Sequence, residues 1–117
     1  MNKKLQALGR LKPGQMNKTE ALYDIHLDAL KHHGEILWYR FEGIKLKLAA
    51  NCHLTIDFAV MMADGALELH DVKGSPHVFT DDAKVKMKLA SELYPFAIKV
   101  AFPLPRKDGG GWRVETI

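Results

Sequence analysis

Residues 17–33 space their apolar side chains for a helix. Leu22, Ile25 and Ala29, with Ala21 and Leu30, make a broad stripe at helical spacing. Asn17 is an N-cap residue type and Glu20 follows three residues later, so Asn17-Lys18-Thr19-Glu20 is a candidate capping box. Gly34 stands where a C′ residue would end the helix. Residues 36–62 then change to a period of two. Leu37, Tyr39 and Phe41 alternate with polar or mixed neighbours, and after Gly43 the phase slips, so that Ile44, Leu46 and Leu48 carry the alternation. A one-residue slip at a glycine predicts a β-bulge or tight bend. Asn51-Cys52-His53 is the next expected turn, followed by a strand over 54–62. Ala63-Asp64-Gly65 is a hairpin signal, and the strand leaving it covers 66–73 until Gly74-Ser75-Pro76 breaks it. Thr80 offers an N-cap to a second helix with Asp81 and Asp82 in its first turn. Val85, Leu89 and Leu93 are its expected buried stripe, and Pro95 stops it. Residues 96–102 form a further strand, 103–111 a Pro- and Gly-rich loop, and 112–117 an edge strand.

The order α-β-β-β-α-β predicts an α/β (α+β) domain with a mixed sheet flanked by helices. Residues 1–16 are expected to be a basic arm and 17–117 a single domain. With 117 residues, 47% hydrophobic and 26% charged, the chain is too apolar for a disordered class. No apolar run nears the ~20 residues of a membrane span. The charged start, Met1-Asn2-Lys3-Lys4, lacks the apolar region of a secretory signal. Cys52 is the one cysteine, which excludes an internal disulfide and suits a reducing cytoplasm. The net charge is +3. Lys3, Lys4, Arg10, Lys12 and Lys18 fall in a segment without acids, and Lys84, Lys86 and Lys88 cluster on the second helix. Such clusters suit a nucleic-acid partner; on charge alone the plainer reading, a solvated tail and helix face, is favoured.

The hairpin at 63–65 determines what chemistry is available. If its loop is Ala63, Asp64 and Gly65, then Met62 pairs with Ala66 and Asp57 falls opposite Asp71, with Cβ atoms about 5 Å apart on one face. Ala59 and Met61 would share that face with Leu67, Leu69, Asp71 and Lys73. If the loop is Asp64-Gly65 alone, Asp57 pairs with Val72 and the two aspartates lie on opposite faces. In the first register two carboxylates repel unless a positive group sits between them. Mg²⁺ or Mn²⁺ takes such oxygen ligands, and Lys73 reaches the same spot to orient a water or hold phosphate charge. The plainer reading is an Asp71–Lys73 surface ion pair of little worth.

Asp57-Phe58 on one strand followed by Asp71-Val72-Lys73 on the next resembles the D…(D/E)-x-K signature of the PD-(D/E)XK nuclease superfamily. The chain is similar, more specifically, to small phage and prophage proteins related to the phage-type Holliday junction-resolving endonucleases. The likeness rests on Met16-Asn17-Lys18-Thr19-Glu20-Ala21, Leu37-Trp38-Tyr39-Arg40-Phe41-Glu42-Gly43, His70-Asp71-Val72-Lys73-Gly74, Asp81-Asp82-Ala83-Lys84-Val85-Lys86 and Lys107-Asp108-Gly109-Gly110-Gly111-Trp112, over roughly residues 9–117. The D…D-x-K pattern is short; the ordered set is the specific part.

That resemblance implies a restriction-endonuclease-like core and a Mg²⁺- or Mn²⁺-dependent DNA endonuclease. Asp57, Asp71 and the Val72 carbonyl would hold the metal, Lys73 would be the catalytic lysine, and Glu20 would help hold a second metal or its water. Lys84 or Lys86 would meet DNA phosphates, joined by Lys88, Lys18 and Lys12. Branched DNA is the expected substrate, in the cytoplasm of a bacterial host of a phage or prophage. Cutting two strands symmetrically implies a homodimer, joined through residues 36–50 or the arm. Ile56 departs from the family, which usually has Pro before the first aspartate, and Asp71 stands where relatives often carry Glu.

The rival reading is a non-catalytic DNA-binding or phage assembly protein on a nuclease fold, with Glu20 only a capping residue. His32, His33, Cys52 and His53 lack zinc-ligand spacing. Trp38, Tyr39 and Trp112 are expected to pack on the sheet rather than stack on bases. No phosphate-binding G-x-x-x-x-G-K-[ST] loop is present, so ATP hydrolysis is not expected.

Overall fold

A computed structural model describes residues 14–117. Lys12 and nearly all of the basic arm lie outside the described residues. The chain forms α1 (Lys18–His32), β1 (Ile36–Ala49), β2 (Cys52–Met62), β3 (Leu67–Val72), α2 (Asp81–Leu93), β4 (Ala97–Pro103) and β5 (Trp112–Thr116), with short 3₁₀ turns at Pro76–Val78 and Arg106–Asp108. The strands make one five-stranded mixed sheet in the order β1-β2-β3-β4-β5. β3 and β4 are parallel, joined through α2, and the other neighbours are antiparallel. This is the α-β-β-β-α-β order expected from periodicity, with β5 added at the edge.

Local chemistry sets the ends of α1. Asn17 Oδ1 accepts from the Glu20 N–H and Glu20 Oε1 accepts from the Asn17 N–H, each at 2.8 Å, so the capping box is complete. At the other end Gly34 has φ 80°. Its N–H donates to the Lys31 carbonyl and the Glu35 N–H to the Leu30 carbonyl, a Schellman closure that a side chain at position 34 would strain.

Each helix covers one face of the sheet. Tyr23 and Leu27 of α1 bury themselves against Ile36, Phe58, Val60, Val72 and Ala101. Met87 and Ala90 of α2 pack on the other face with Leu46, Leu48, Ile56, Ala59, Leu69, Ile98, Val100 and Phe102. Both helices present faces rotated from the expected ones, with Leu30 kept from the expected stripe of α1. Leu22 and Ile25 are 51% and 65% exposed, and the stripe that packs is Tyr23, Leu27 and Leu30. Likewise Val85 and Leu93 are 66% and 52% exposed, with Leu89 also open. The cause is that Tyr23, amphipathic by nature, anchors the real stripe of α1, while the small Ala90 lets α2 approach the sheet closely beside Met87.

The β-bulge falls where the phase slip predicts it. Pairing runs Phe41↔Phe58 and then Ile44↔Ile56, so β1 spends three residues against two of β2. The positive φ sits on Glu42 (49°) rather than on Gly43. The turn expected at Asn51-Cys52-His53 lies one residue earlier: Ala49 pairs with Cys52 around Ala50-Asn51, with Asn51 at φ 59°. Asparagine tolerates this left-handed region, which is why it sits there.

The helix faces define a stability test. Leu27→Ala should cost about 2–5 kcal/mol by leaving a cavity beneath α1. Ile25→Ala should stay within about 0.5 kcal/mol, as an exposed position does. Urea denaturation of the two variants measures both; the reverse order would mean that α1 buries the Leu22–Ile25–Ala29 stripe.

Candidate metal and phosphate site

The β2–β3 hairpin takes the three-residue turn. Met62 N–H donates to the Ala66 carbonyl and Gly65 N–H to the Met62 carbonyl, with Gly65 at φ 90°. Asp64 Oδ1 accepts from the Ala66 N–H at 2.9 Å and braces the turn. Pairing then runs Met61↔Leu67, Val60↔Glu68, Ala59↔Leu69 and Phe58↔His70. One further step in this register sets Asp57 opposite Asp71.

At that point the backbone ladder gives way to side chains. Asp57 Oδ2 accepts from the Val72 N–H at 2.7 Å. Lys73 N–H donates to the Ala101 carbonyl on β4. Because N–H and C=O groups of successive residues point to opposite neighbours in a sheet, Val72 directs its carbonyl toward β2, on the Asp57 side. Asp71 is buried, and its Oδ2 meets Lys73 Nζ at 3.0 Å. This ion pair is far from the surface type, since only 9% of the Asp71 side chain and 25% of that of Lys73 are exposed.

The two carboxylates strain one another. Burial pushes the Asp57 carboxyl up to about 9, the charge of Asp71 adds to the rise, Glu20 adds more, and the Val72 N–H opposes it. Asp57 therefore favours its protonated form far more than a free carboxyl does.

The first turn of α1 flanks this pair. A Cβ on Gly74, just past Lys73, would lie 3.8 Å from Thr19 Oγ1, so the exit of β3 touches the start of α1. Glu20 is thereby near enough to raise Asp57, while its own Oε1 closes the capping box. It does not join the aspartates in a common cage: among the described residues no group of three or more His, Cys, Asp or Glu side chains could hold a metal ion. The donor set that does fit a hard cation is Asp57, Asp71 and the Val72 carbonyl. Mg²⁺ commonly takes one or two carboxylates and completes its shell with water.

The lysines divide. Lys18 and Lys88 are exposed, and Lys86 is half-buried. Lys84 is exposed with its Nζ 5.5 Å from the centroid of the Phe79 ring. Lys73 alone among these touches the carboxylates.

A buried polar chain beneath α1 was not anticipated. Tyr23 Oη lies 2.6 Å from His70 Nδ1, His70 Nε2 lies 2.9 Å from Glu68 Oε1, and Lys99 Nζ donates to Glu68 Oε2 at 3.0 Å. Burial lowers the His70 ring against the pull of Glu68. Burial also acts on Glu68, but hydrogen bonds from His70 and Lys99 outweigh it and hold that carboxyl down. An ionised Glu68 only accepts, so Nε2 carries the proton of a neutral His70 and Tyr23 donates to Nδ1. This chain ties α1 to the strand that carries Asp71. Its sequence signal is the alternation Leu67-Glu68-Leu69-His70, which reads as a solvent-facing strand unless both faces are known to be covered.

No family model, curated protein or solved structure matches the chain.

The Asp57 shift sets a pH dependence. A carboxyl raised from 3.8 to about 9 on folding keeps its proton in the folded state, so stability present below pH 4 is lost as pH rises toward 9. Asp57→Asn removes the titration and keeps an acceptor for the Val72 N–H. More than one unit of such a shift exceeds about 1.4 kcal/mol, or about 4 °C in Tm for a domain of this size. In EDTA, Asp57→Asn should therefore melt at least that much above wild type at pH 8, with the gain vanishing near pH 4. A gain independent of pH would refute the raised Asp57.

Proposed function

We propose that this protein is a metal-dependent endodeoxyribonuclease that hydrolyses phosphodiester bonds in branched DNA. The observation that carries the reading is the opposed pair Asp57–Asp71 with Lys73 Nζ at 3.0 Å from Asp71. Two carboxylates buried side by side are an arrangement that a divalent cation relieves. Asp57, Asp71 and the Val72 carbonyl would hold Mg²⁺ or Mn²⁺, which when bound supplies Lewis-acid stabilisation of charge on the attacked phosphate. Lys73 keeps its ammonium beside that point, fit to pair with a phosphate oxygen or to orient the attacking water. Glu20, in the first turn of α1, acts on Asp57 through its charge. Lys18, Lys84, Lys86 and Lys88 and the net charge of +3 add phosphate attraction, which weakens with salt. The same proposal includes a homodimer, since two strands need two sites, and the cytoplasm of a bacterium that carries a phage or prophage.

A second reading has one observation in its favour. Glu20, Asp57 and Asp71 do not gather into a three-residue metal group, as in a DNA-binding or phage assembly protein whose carboxylates are inert. An immobile four-way junction, a linear duplex and a single strand, each incubated in Mg²⁺, Mn²⁺ and EDTA, separate the two. The nuclease cuts the junction, EDTA stops it, and Lys73→Ala slows it by about 100-fold or more with DNA binding intact. Equal cutting of all three DNAs keeps the nuclease and removes the preference for branches. DNA binding without metal-dependent cutting selects the second reading.

A further inference from the structure

The face of the sheet that carries the two aspartates continues onto β1. Trp38 pairs with Met61 and Arg40 with Ala59, and these in turn pair with Leu67 and Leu69. Cross-strand partners share a face, so Trp38 and Arg40 stand on the side of Asp57, Asp71 and Lys73. Arg40 is the diagonal neighbour of Asp57 across β1–β2, at ~7–8 Å. α2 covers this face over Ala59 and Leu69 and, further along β1, over Leu46 and Leu48, but not over Trp38 and Arg40 at the β1 edge, which stay exposed. What it leaves open is a groove of about 410 Å³ lined by Trp38, Arg40 and Gly43.

Three features suit this groove to a nucleotide. Trp38 is 41% exposed, although an indole is costly to leave in water. Arg40 is exposed and has no carboxylate partner among the described residues. Gly43 gives the arginine its bed: a Cβ there would stand 3.1–3.2 Å from Arg40 Cβ, Cγ and Cδ. An aromatic face and a free guanidinium, two residues apart on one strand beside a phosphate-type site, match a base and its phosphate.

Resting on the nuclease reading above, we propose that Trp38 and Arg40 form a subsite for one unpaired nucleotide next to the bond that is cut. Trp38 stacks on the base and Arg40 pairs with a phosphate. A base inside a duplex is stacked on both sides and offers only its edge. An open π-face exists at a branch point, a gap or a single strand. The subsite would thus be the element through which the protein prefers branched to continuous DNA.

The test measures affinity in EDTA for a junction with unpaired nucleotides at its branch, for a single-stranded oligonucleotide and for a blunt duplex. Trp38→Ala should weaken the first two by about 5- to 100-fold and the duplex by no more than about two-fold. Trp38→Phe should keep most of the affinity but lose the DNA-induced quenching of indole emission that wild type shows. Arg40→Ala should weaken all three and lower the salt slope by about one. Trp38 lies on an exposed edge strand, and unchanged thermal melting checks that the variants fold. If Trp38→Ala affects no DNA, or all three alike, the subsite is overturned while the nuclease reading stands. If wild type binds none of them, both fall.

Discussion

Two aspartates face one another because the turn before them has three residues and not two. Side chains alternate along a strand, so one residue more or less in the β2–β3 turn would send Asp57 and Asp71 to opposite faces of the sheet. The turn is held at that length from both ends. Gly65 supplies the left-handed position at φ 90°, and Asp64 fastens its carboxylate to the Ala66 N–H. Everything else at the site inherits the register. Lys73 lies on the aspartate face because it is two residues past Asp71, and Arg40 lies there because β1 pairs with β2, where Arg40 stands opposite Ala59, two residues from Asp57.

The cost of that register is electrostatic. Burying one carboxylate against another raises the proton affinity of Asp57 and gives up folding stability at neutral pH. The rest of the molecule offsets this with conventional means: a fully capped α1, apolar packing on both faces of the sheet, and a polar chain from Tyr23 to Lys99 in which each partner is satisfied. Among the described residues no buried side-chain nitrogen or oxygen lacks a partner. Asp57 is the place where local chemistry and stability disagree, and such a conflict is what a functional site produces when the rest of the fold is consistent.

Local signals in the chain were readable where a residue type has one physical use. Asn17 with Glu20, Gly34, the Gly43 slip and the Asp64-Gly65 turn each name a backbone geometry, and each is found there. The hairpin offered two registers on paper, and only the turn geometry decides between them. The helix faces were not legible. A stripe of Leu22, Ile25 and Ala29 scores as apolar, yet the residues that pack are Tyr23 and Leu27, because a tyrosine buries its ring while its hydroxyl finds His70. The same blindness hid Glu68 and His70. Two polar residues on alternate positions of β3 look solvated, and only the presence of α1 above them turns them into a buried chain.

One irregularity, the bulge at Glu42-Gly43, keeps β1 in step with β2 where β2 changes sides of the sheet. Before it, Tyr39 and Phe41 pack under α1 while Trp38 and Arg40 turn to the aspartate face. After it, Ile44, Leu46 and Leu48 pack under α2. On β2 the side changes within two residues, from Phe58 under α1 to Ile56 under α2, and the three steps that β1 spends from Phe41 to Ile44 keep each partner on the same face. Glu42 accepts a positive φ at the bulge, and its carboxylate takes the Gly14 N–H at 3.1 Å. Gly43, with no side chain, leaves the space over which Arg40 lies. A strained residue followed by a vacant one is a costly arrangement for an edge strand whose sole task is to close a sheet. Here it keeps two strands in step and leaves Arg40 the space it lies in.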